Sequence, residues 1–88
     1  MKRKGEFNVI KDGDGFVAVA AGEYKQEFSG MIKLNETGML LWKRLGDDVT
    51  LEDLAAAICD EYAVSREVAL NAAEAFVDGL REAGFIED

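Results

Sequence analysis

Histidine and proline are absent from this sequence of 88 residues, and cysteine occurs once, as Cys59. Without histidine, the chain lacks the commonest general base and the partner of Ser-His and Cys-His nucleophile pairs. One cysteine excludes an intrachain disulfide and a CxxC zinc site. A single free thiol fits a reducing compartment, so we predict a cytoplasmic protein. We expect neither an enzyme nor a protein that holds a metal or another cofactor.

Long hydrophobic runs are also missing. No apolar stretch approaches the roughly 20 residues that a membrane-spanning helix needs, so we expect no membrane contact. The basic start Met1-Lys2-Arg3-Lys4 leads into no apolar segment and therefore does not match a signal peptide. We predict a basic, flexible tail over residues 1–5 and a single domain over residues 6–88. Hydrophobic residues make up 49% of the chain, which is enough for one modest core.

The negative charge is concentrated in the second half of the chain. The formal net charge is −8, and from Leu45 onward two arginines accompany twelve aspartates and glutamates. Nucleic-acid binding needs a basic face, because the affinity comes largely from counterions released from phosphates. The charge therefore disfavours a nucleic-acid partner and favours a basic or apolar one.

Three segments have the pattern of β-strands, at residues 7–10, 16–20 and 31–34. The Asp-Gly pairs of residues 12–15 favour a hairpin turn between the first two strands and lack the spaced ligands of a calcium loop. The second strand is apolar on both faces, which predicts a central position in the sheet. Three strands in sequence order form a meander, with the third at an edge. Residues 22–30 are predicted to be a long connection.

Three predicted helices follow the strands. Asn35, Thr50 and Ser65 are favourable N-caps, and Gly84 ends the last helix, which covers about residues 66–83. That helix has an apolar arc about twice as wide as a surface helix needs for one core. It either packs on two sides or exposes one edge of the arc to a groove. An apolar groove beside an unpaired strand edge is a recurrent way to bind an extended peptide.

Three single residues have more than one interpretation. Cys59 fits a small core position among alanines on the second helix. Trp42 fits the core-facing stripe of the first helix, although it would also suit an interface anchor. Lys33 alternates with apolar residues on the third strand. It either protects an edge strand from aggregation or contacts an acidic residue of a partner.

The stretch Met-Ile-Lys-Leu-Asn-Glu-Thr-Gly at residues 31–38, followed by Leu-Leu-Trp at 40–42, resembles the PqqD-like family. The helix start at residues 50–54 and the ending at residues 80–86 support the resemblance, which covers about residues 7–86. It implies a stand-alone member with an α+β, winged-helix-like fold. In that fold a three-stranded antiparallel meander packs on three helices.

The resemblance also implies a function. Domains of this family are recognition elements for ribosomally made, post-translationally modified peptides. They bind the leader segment of a precursor peptide and present it to a modifying enzyme, often a radical-SAM protein. The leader adds as a strand beside the third strand and against the third helix. Carried over to this sequence, the implied peptide-binding residues are Met31, Ile32, Lys33, Leu34, Ala69, Leu70, Ala73, Phe76, Val77 and Leu80.

Two other functions stay open at this point. The chain could be a protein–protein assembly domain that binds no peptide, or an acidic winged-helix transcription regulator. The acidic residues of the last two helices oppose the second alternative, because they repel phosphates. The predicted oligomeric state is a monomer or a dimer that pairs through its edge strands.

Overall fold

The computed structural model describes residues 1–22 and 31–88. The predicted connection at residues 22–30 therefore lies outside the described residues, apart from Gly22. The three helices and the antiparallel sheet confirm the predicted α+β fold class. In chain order the elements are β1 (Lys2–Arg3), β2 (Phe7–Asp12), β3 (Gly15–Ala20), β4 (Met31–Leu34), α1 (Glu36–Arg44), α2 (Leu51–Glu61), α3 (Arg66–Glu82) and β5 (Ile86–Glu87).

The chain divides into two compact units. We call Gly5–Met39 the sheet unit, because it contains β2, β3 and β4. We call Met1–Lys4 together with Leu40–Asp88 the helical unit, because it contains α2 and α3 along with β1 and β5. That residues 6–88 form a single domain stays a prediction.

In the sheet unit, β3 lies between β2 and β4 and is antiparallel to both. Its central residue Ala18 is opposite Val9 on one side and Ile32 on the other. Ala18 is fully buried, and Val17, which points to the opposite face, is 9% exposed. A strand that is apolar on both faces fits the centre of a sheet, so the predicted meander and its strand order are confirmed.

Two glycines shape the hairpin between β2 and β3. Gly13 has a φ of +60°, whereas no residue other than glycine has a positive φ among those described. A positive φ at the first of two central turn residues is the pattern of a type II′ turn, which matches the twist of the flanking strands. Gly15 serves a different purpose, because a Cβ at this position would lie 2.8 Å from the backbone oxygen of Leu34. Glycine therefore allows β3 and β4 to approach each other closely.

Side-chain caps begin all three helices, as the sequence predicts. Asn35 Oδ1 accepts a hydrogen bond from the backbone N–H of Gly38 at 2.7 Å. Thr50 and Asp53 form a reciprocal capping box at the start of α2. Ser65 Oγ accepts from the backbone N–H of Val68 at 3.2 Å and caps α3. Each cap satisfies donors that the first helical turn leaves without a partner, and together they fix where the helices begin.

The helical unit has its core along α2 and α3, which pack against each other. Trp42 is 1% exposed, which confirms its predicted core position. Cys59 is half-buried rather than fully enclosed, and its Sγ lies 3.8 Å from the carbonyl oxygen of Val64. The core prediction for Cys59 is therefore only partly right. The buried apolar residues of the two helices are Leu54, Ala55, Ala57, Ile58, Ala69, Ala73, Val77 and Leu80.

Two of the basic N-terminal residues form strand β1, so this part of the predicted tail has regular structure, and the flexibility of residues 1–5 stays a prediction. Strand β1 pairs with β5, with Arg3 opposite Ile86. Arg3 also donates from Nε to the carbonyl oxygen of Trp42 at 3.1 Å, and its guanidinium lies 5.1 Å from the centroid of the Trp42 ring. Its backbone N–H donates to the carbonyl oxygen of Leu45 at 2.9 Å. A charge-assisted hydrogen bond and a cation–π contact hold this short segment in place.

The backbone of Met1 lies next to the loop before α2. The Met1 ammonium donates to the Asp48 carboxylate and, at 3.0 Å, to the carbonyl oxygen of Val49. The hydrogen bond from this ammonium, followed by its positive charge, lowers the pKa of Asp48 below its ordinary value. Within the helical unit, these contacts tie the start of β1 to the loop before α2.

We expect Gly15→Ala to destabilise the protein by about 1–3 kcal/mol, because the added Cβ overlaps the Leu34 oxygen and forces β3 and β4 apart. Gly79→Ala is the matched control. Its Cβ would meet no atom within 4 Å, and alanine favours a helix over glycine by about 1 kcal/mol. Urea unfolding measures both changes. A loss of stability in Gly79→Ala, or no loss in Gly15→Ala, would contradict this account.

Candidate functional site

Strand β4 lies at an edge of the three-stranded sheet that the described residues form. It is hydrogen-bonded to β3 on one side and has no further strand partner within residues 1–22 and 31–88. The outward side of an edge strand presents backbone N–H and C=O groups, which are a template for another chain in extended conformation. The predicted position of the third strand at an edge is confirmed.

The side chains of β4 alternate between a buried and an exposed face. Leu34 is 3% exposed and Ile32 is half-buried, whereas Met31 is 63% exposed and Lys33 is also exposed. This alternation follows from the period of two in a β-strand. Leu34 thus belongs to the core, and Met31 and Lys33 are the β4 side chains exposed to solvent.

The sheet face that bears Met31 and Lys33 carries two rows of side chains that run across the strands. One row consists of Ile10, Val17 and Lys33, which are opposite one another in the register of the strands. The other row consists of Asn8, Val19 and Met31. Residues directly opposite on neighbouring strands have Cβ atoms about 5 Å apart. A strand added beside β4 would extend both rows by one residue each.

The structure separates the six predicted helix residues into two groups. Ala69, Ala73, Val77 and Leu80 are buried, with exposed fractions between 0% and 5%. Leu70 and Phe76 are partly exposed. A buried core residue contributes to stability and presents little surface to a ligand. Within this predicted set, Leu70 and Phe76 are therefore the helix side chains that keep some solvent-accessible surface.

Another edge of α3, which the predicted set does not include, is exposed. Val68 is 54% exposed, and Ala72, Ala75 and Gly79 are exposed as well. These positions recur with helical spacing and belong to the same wide apolar arc. The width of the arc indicates that part of it is not covered, but periodicity alone does not say which part. The small size of the residues at 72, 75 and 79 was the sequence feature that could have pointed to this uncovered part of the arc.

Within the described ranges, His, Cys, Asp and Glu form no group of three or more that could hold a metal ion. The described helices include none with the length and hydrophobicity required to cross a bilayer.

The family assignment comes from sequence. The family model described as coenzyme PQQ synthesis protein D (PqqD) matches residues 12–86, which is most of the chain. The chain belongs to the PqqD family. No curated protein matches it significantly. The match includes β3, β4, all three helices and Ile86, the first residue of β5, whereas β1 and most of β2 precede it.

A solved structure extends the comparison of the PqqD-family chain to the fold. The structure of TbiB1 in complex with the TbiA(β) leader peptide contains a chain similar to it, with a TM-score of 0.77 and 22% sequence identity. The similarity covers 99% of the PqqD-family chain and 95% of the other chain. At this level of identity, the likeness shows that the two chains share a fold.

Replacement of exposed and buried residues of β4 should have different effects on stability. We expect Leu34→Ala to cost about 2–5 kcal/mol, because it removes a buried side chain from the sheet unit. Met31→Ala is the matched control on the exposed face and should change stability by no more than about 0.5 kcal/mol. Urea unfolding of both variants checks this. Similar losses in the two variants would contradict the assignment of faces.

Proposed function

We propose that this PqqD-family protein is a non-catalytic peptide-binding module. It binds the leader segment of a ribosomally made precursor peptide as an added strand beside β4, and it presents that peptide to a modifying enzyme of the radical-SAM class. The open side of β4 carries the proposal. The family assignment and the shared fold with a chain from a leader-peptide complex support it.

Backbone pairing alone is too weak to hold such a peptide. Ordering five residues of a flexible chain costs roughly 5–10 kcal/mol. Residues of an antiparallel strand alternate in the direction of their hydrogen bonds, so a strand of four residues offers about four outward bonds. Each of these hydrogen bonds contributes about 0.5–1.5 kcal/mol to the free energy of binding. Two or three apolar side chains of the peptide, each contributing about 1.5–3 kcal/mol, must supply the remaining free energy of binding.

The residues in this proposal fall into three groups. Met31, Ile32, Lys33 and Leu34 provide the strand edge. Leu70 and Phe76 stay predicted contacts for apolar peptide side chains, because both are partly exposed. The buried helix residues of the predicted set shape the helical unit from inside, so their replacement would alter folding together with binding. These four residues are Ala69, Ala73, Val77 and Leu80.

The proposal separates from its two alternatives by simple binding measurements. An assembly domain would capture the modifying enzyme and leave the precursor peptide unbound. A transcription regulator would bind duplex DNA with an affinity that falls steeply with salt, which the acidic helical unit opposes. The proposal places binding in the cytoplasm, where the single thiol stays reduced and precursor peptides are made.

Peptide binding should protect the outward amides of β4. In the free protein, we expect alternate amides of residues 31–34 to exchange quickly with solvent, since only every second residue bonds to β3. A precursor peptide encoded by a short reading frame next to the gene should slow the exchange of these fast amides and shift their NMR signals. Signals of β4 that stay unchanged with every such peptide would contradict strand addition.

The matching variant carries a proline at one of the fast-exchanging residues of β4. Proline has no backbone N–H, so the substitution removes one outward donor and leaves the bonds to β3 in place. We expect it to weaken peptide binding about 2- to 12-fold, in line with the loss of one hydrogen bond. The control is a proline at a fast-exchanging residue of β2, the opposite edge of the sheet. If the two variants weaken binding equally, β4 is not the docking edge.

Apolar side chains of the precursor peptide should dominate affinity. Truncation of each anchoring apolar residue to alanine is expected to weaken binding about tenfold or more, as the loss of a buried side chain requires. Replacement of its exposed polar residues should change affinity much less. Calorimetric titration of the peptide variants measures both classes. Affinity that is unchanged by all apolar truncations would contradict this description of the site.

A further inference from the structure

We infer that Lys33 selects peptides with an acidic side chain at one defined position of the added strand. This inference rests on the proposed function, because it concerns the same edge of β4. It assigns a specificity to a residue that is otherwise explained as protection against aggregation.

Lys33 lies at the β4 end of a row of side chains that crosses the sheet. Lys33 ends the row that starts with Ile10 and Val17, and both of these neighbours are apolar. Its ammonium has no salt-bridge partner among the residues that the structure describes. The next position along this row lies on the added strand, with a Cβ about 5 Å from that of Lys33. A carboxylate at this position would meet a cation that no described side chain neutralises.

The overall charge of the protein strengthens the argument. With a net charge of −8, the protein repels acidic peptides in general, so an acidic residue is tolerated best where a local cation compensates it. Lys33 is the cation on the exposed face of β4. The same carboxylate at another position of the peptide lacks this compensation.

The row that ends at Met31 predicts a second preferred residue of the peptide. Met31 ends the row of Asn8 and Val19, and it is 63% exposed, so the peptide residue opposite Met31 should be large and apolar. Met31 and Lys33 are two residues apart, and the peptide residues opposite them are therefore also two apart. In an antiparallel strand the acidic residue precedes the apolar one, and in a parallel strand it follows. The order of this pair thus reports the orientation of the peptide.

Selection from a displayed library of random twelve-residue peptides tests the inference. With the wild-type protein, we expect enrichment of Asp or Glu two positions from a large apolar residue. With Lys33→Glu, the acidic preference should give way to Lys or Arg at the same position. Lys11→Glu is the matched control, because it makes the same charge change on β2 at the other edge of the sheet and should keep the acidic preference.

Affinities of single selected peptides make the test quantitative. Replacement of the acidic peptide residue by its amide should weaken binding about 2- to 5-fold, and Lys33→Glu should weaken binding of the acidic peptide about 5- to 20-fold. Lys33→Glu should bind a peptide with lysine at that position about as tightly as the wild-type protein binds the acidic peptide. Lys33→Gln serves as a second variant if the reversed charge disturbs folding, and it should remove the preference without reversing it.

The outcomes separate this inference from the proposed function. If selected peptides shift the β4 amides but bind wild type and Lys33→Glu alike, the role of Lys33 is overturned and strand addition stands. If the selected peptides bind without any shift of the β4 amides, both are overturned. A charge swap that restores affinity, together with a weaker wild-type preference at high salt, supports the inference.

Discussion

The central constraint in the sheet unit is the pairing of β3 on both sides. A strand that is apolar on both faces needs neighbours and cover on every side, so β2 and β4 become the two edges of a three-stranded sheet. Of these edges, β4 ends at Leu34, which anchors it in the core, and carries exposed side chains at Met31 and Lys33. The same pairing that stabilises the sheet therefore leaves β4 with a side that no other described strand occupies.

Local signals in the sequence were sufficient for the parts of the fold that depend on nearby residues. Asn35, Thr50 and Ser65 were recognisable as caps because a capping side chain bonds to a backbone N–H within three residues. The central position of β3 was predictable because burial on both faces removes the usual alternation. Strand order then followed from short connections.

Long-range contacts of short segments could not be predicted in this way. Strands β1 and β5 have two residues each, too few to show a period, and they pair across almost the whole length of the chain. Arg3 is held by the carbonyl oxygens of Trp42 and Leu45, and nothing in the basic run of the N-terminus indicates these acceptors. The segment therefore had the pattern of a tail although its backbone is bonded on several sides.

The edge position of β4 was predictable from the sequence, whereas the burial of individual α3 side chains was not. Helical periodicity identifies an apolar arc but does not tell which residues of the arc other elements cover. Val77 and Leu80 were expected to contact a peptide and are buried, whereas Val68 is more than half exposed. Resemblance to a family identifies an element with a function, and burial then decides which of its side chains are accessible.

The two interpretations of Lys33 are compatible because they follow from the same charge. A second copy of β4 that paired with the first would add another Lys33 to the same short edge, and like charges close together on adjacent strands destabilise a pair. A peptide with a carboxylate in that row meets attraction in place of this repulsion. One exposed cation on a strand of four residues can thus disfavour self-association and favour a particular class of peptide. Under the proposed function, the edge can therefore carry a charge and still accept a peptide strand.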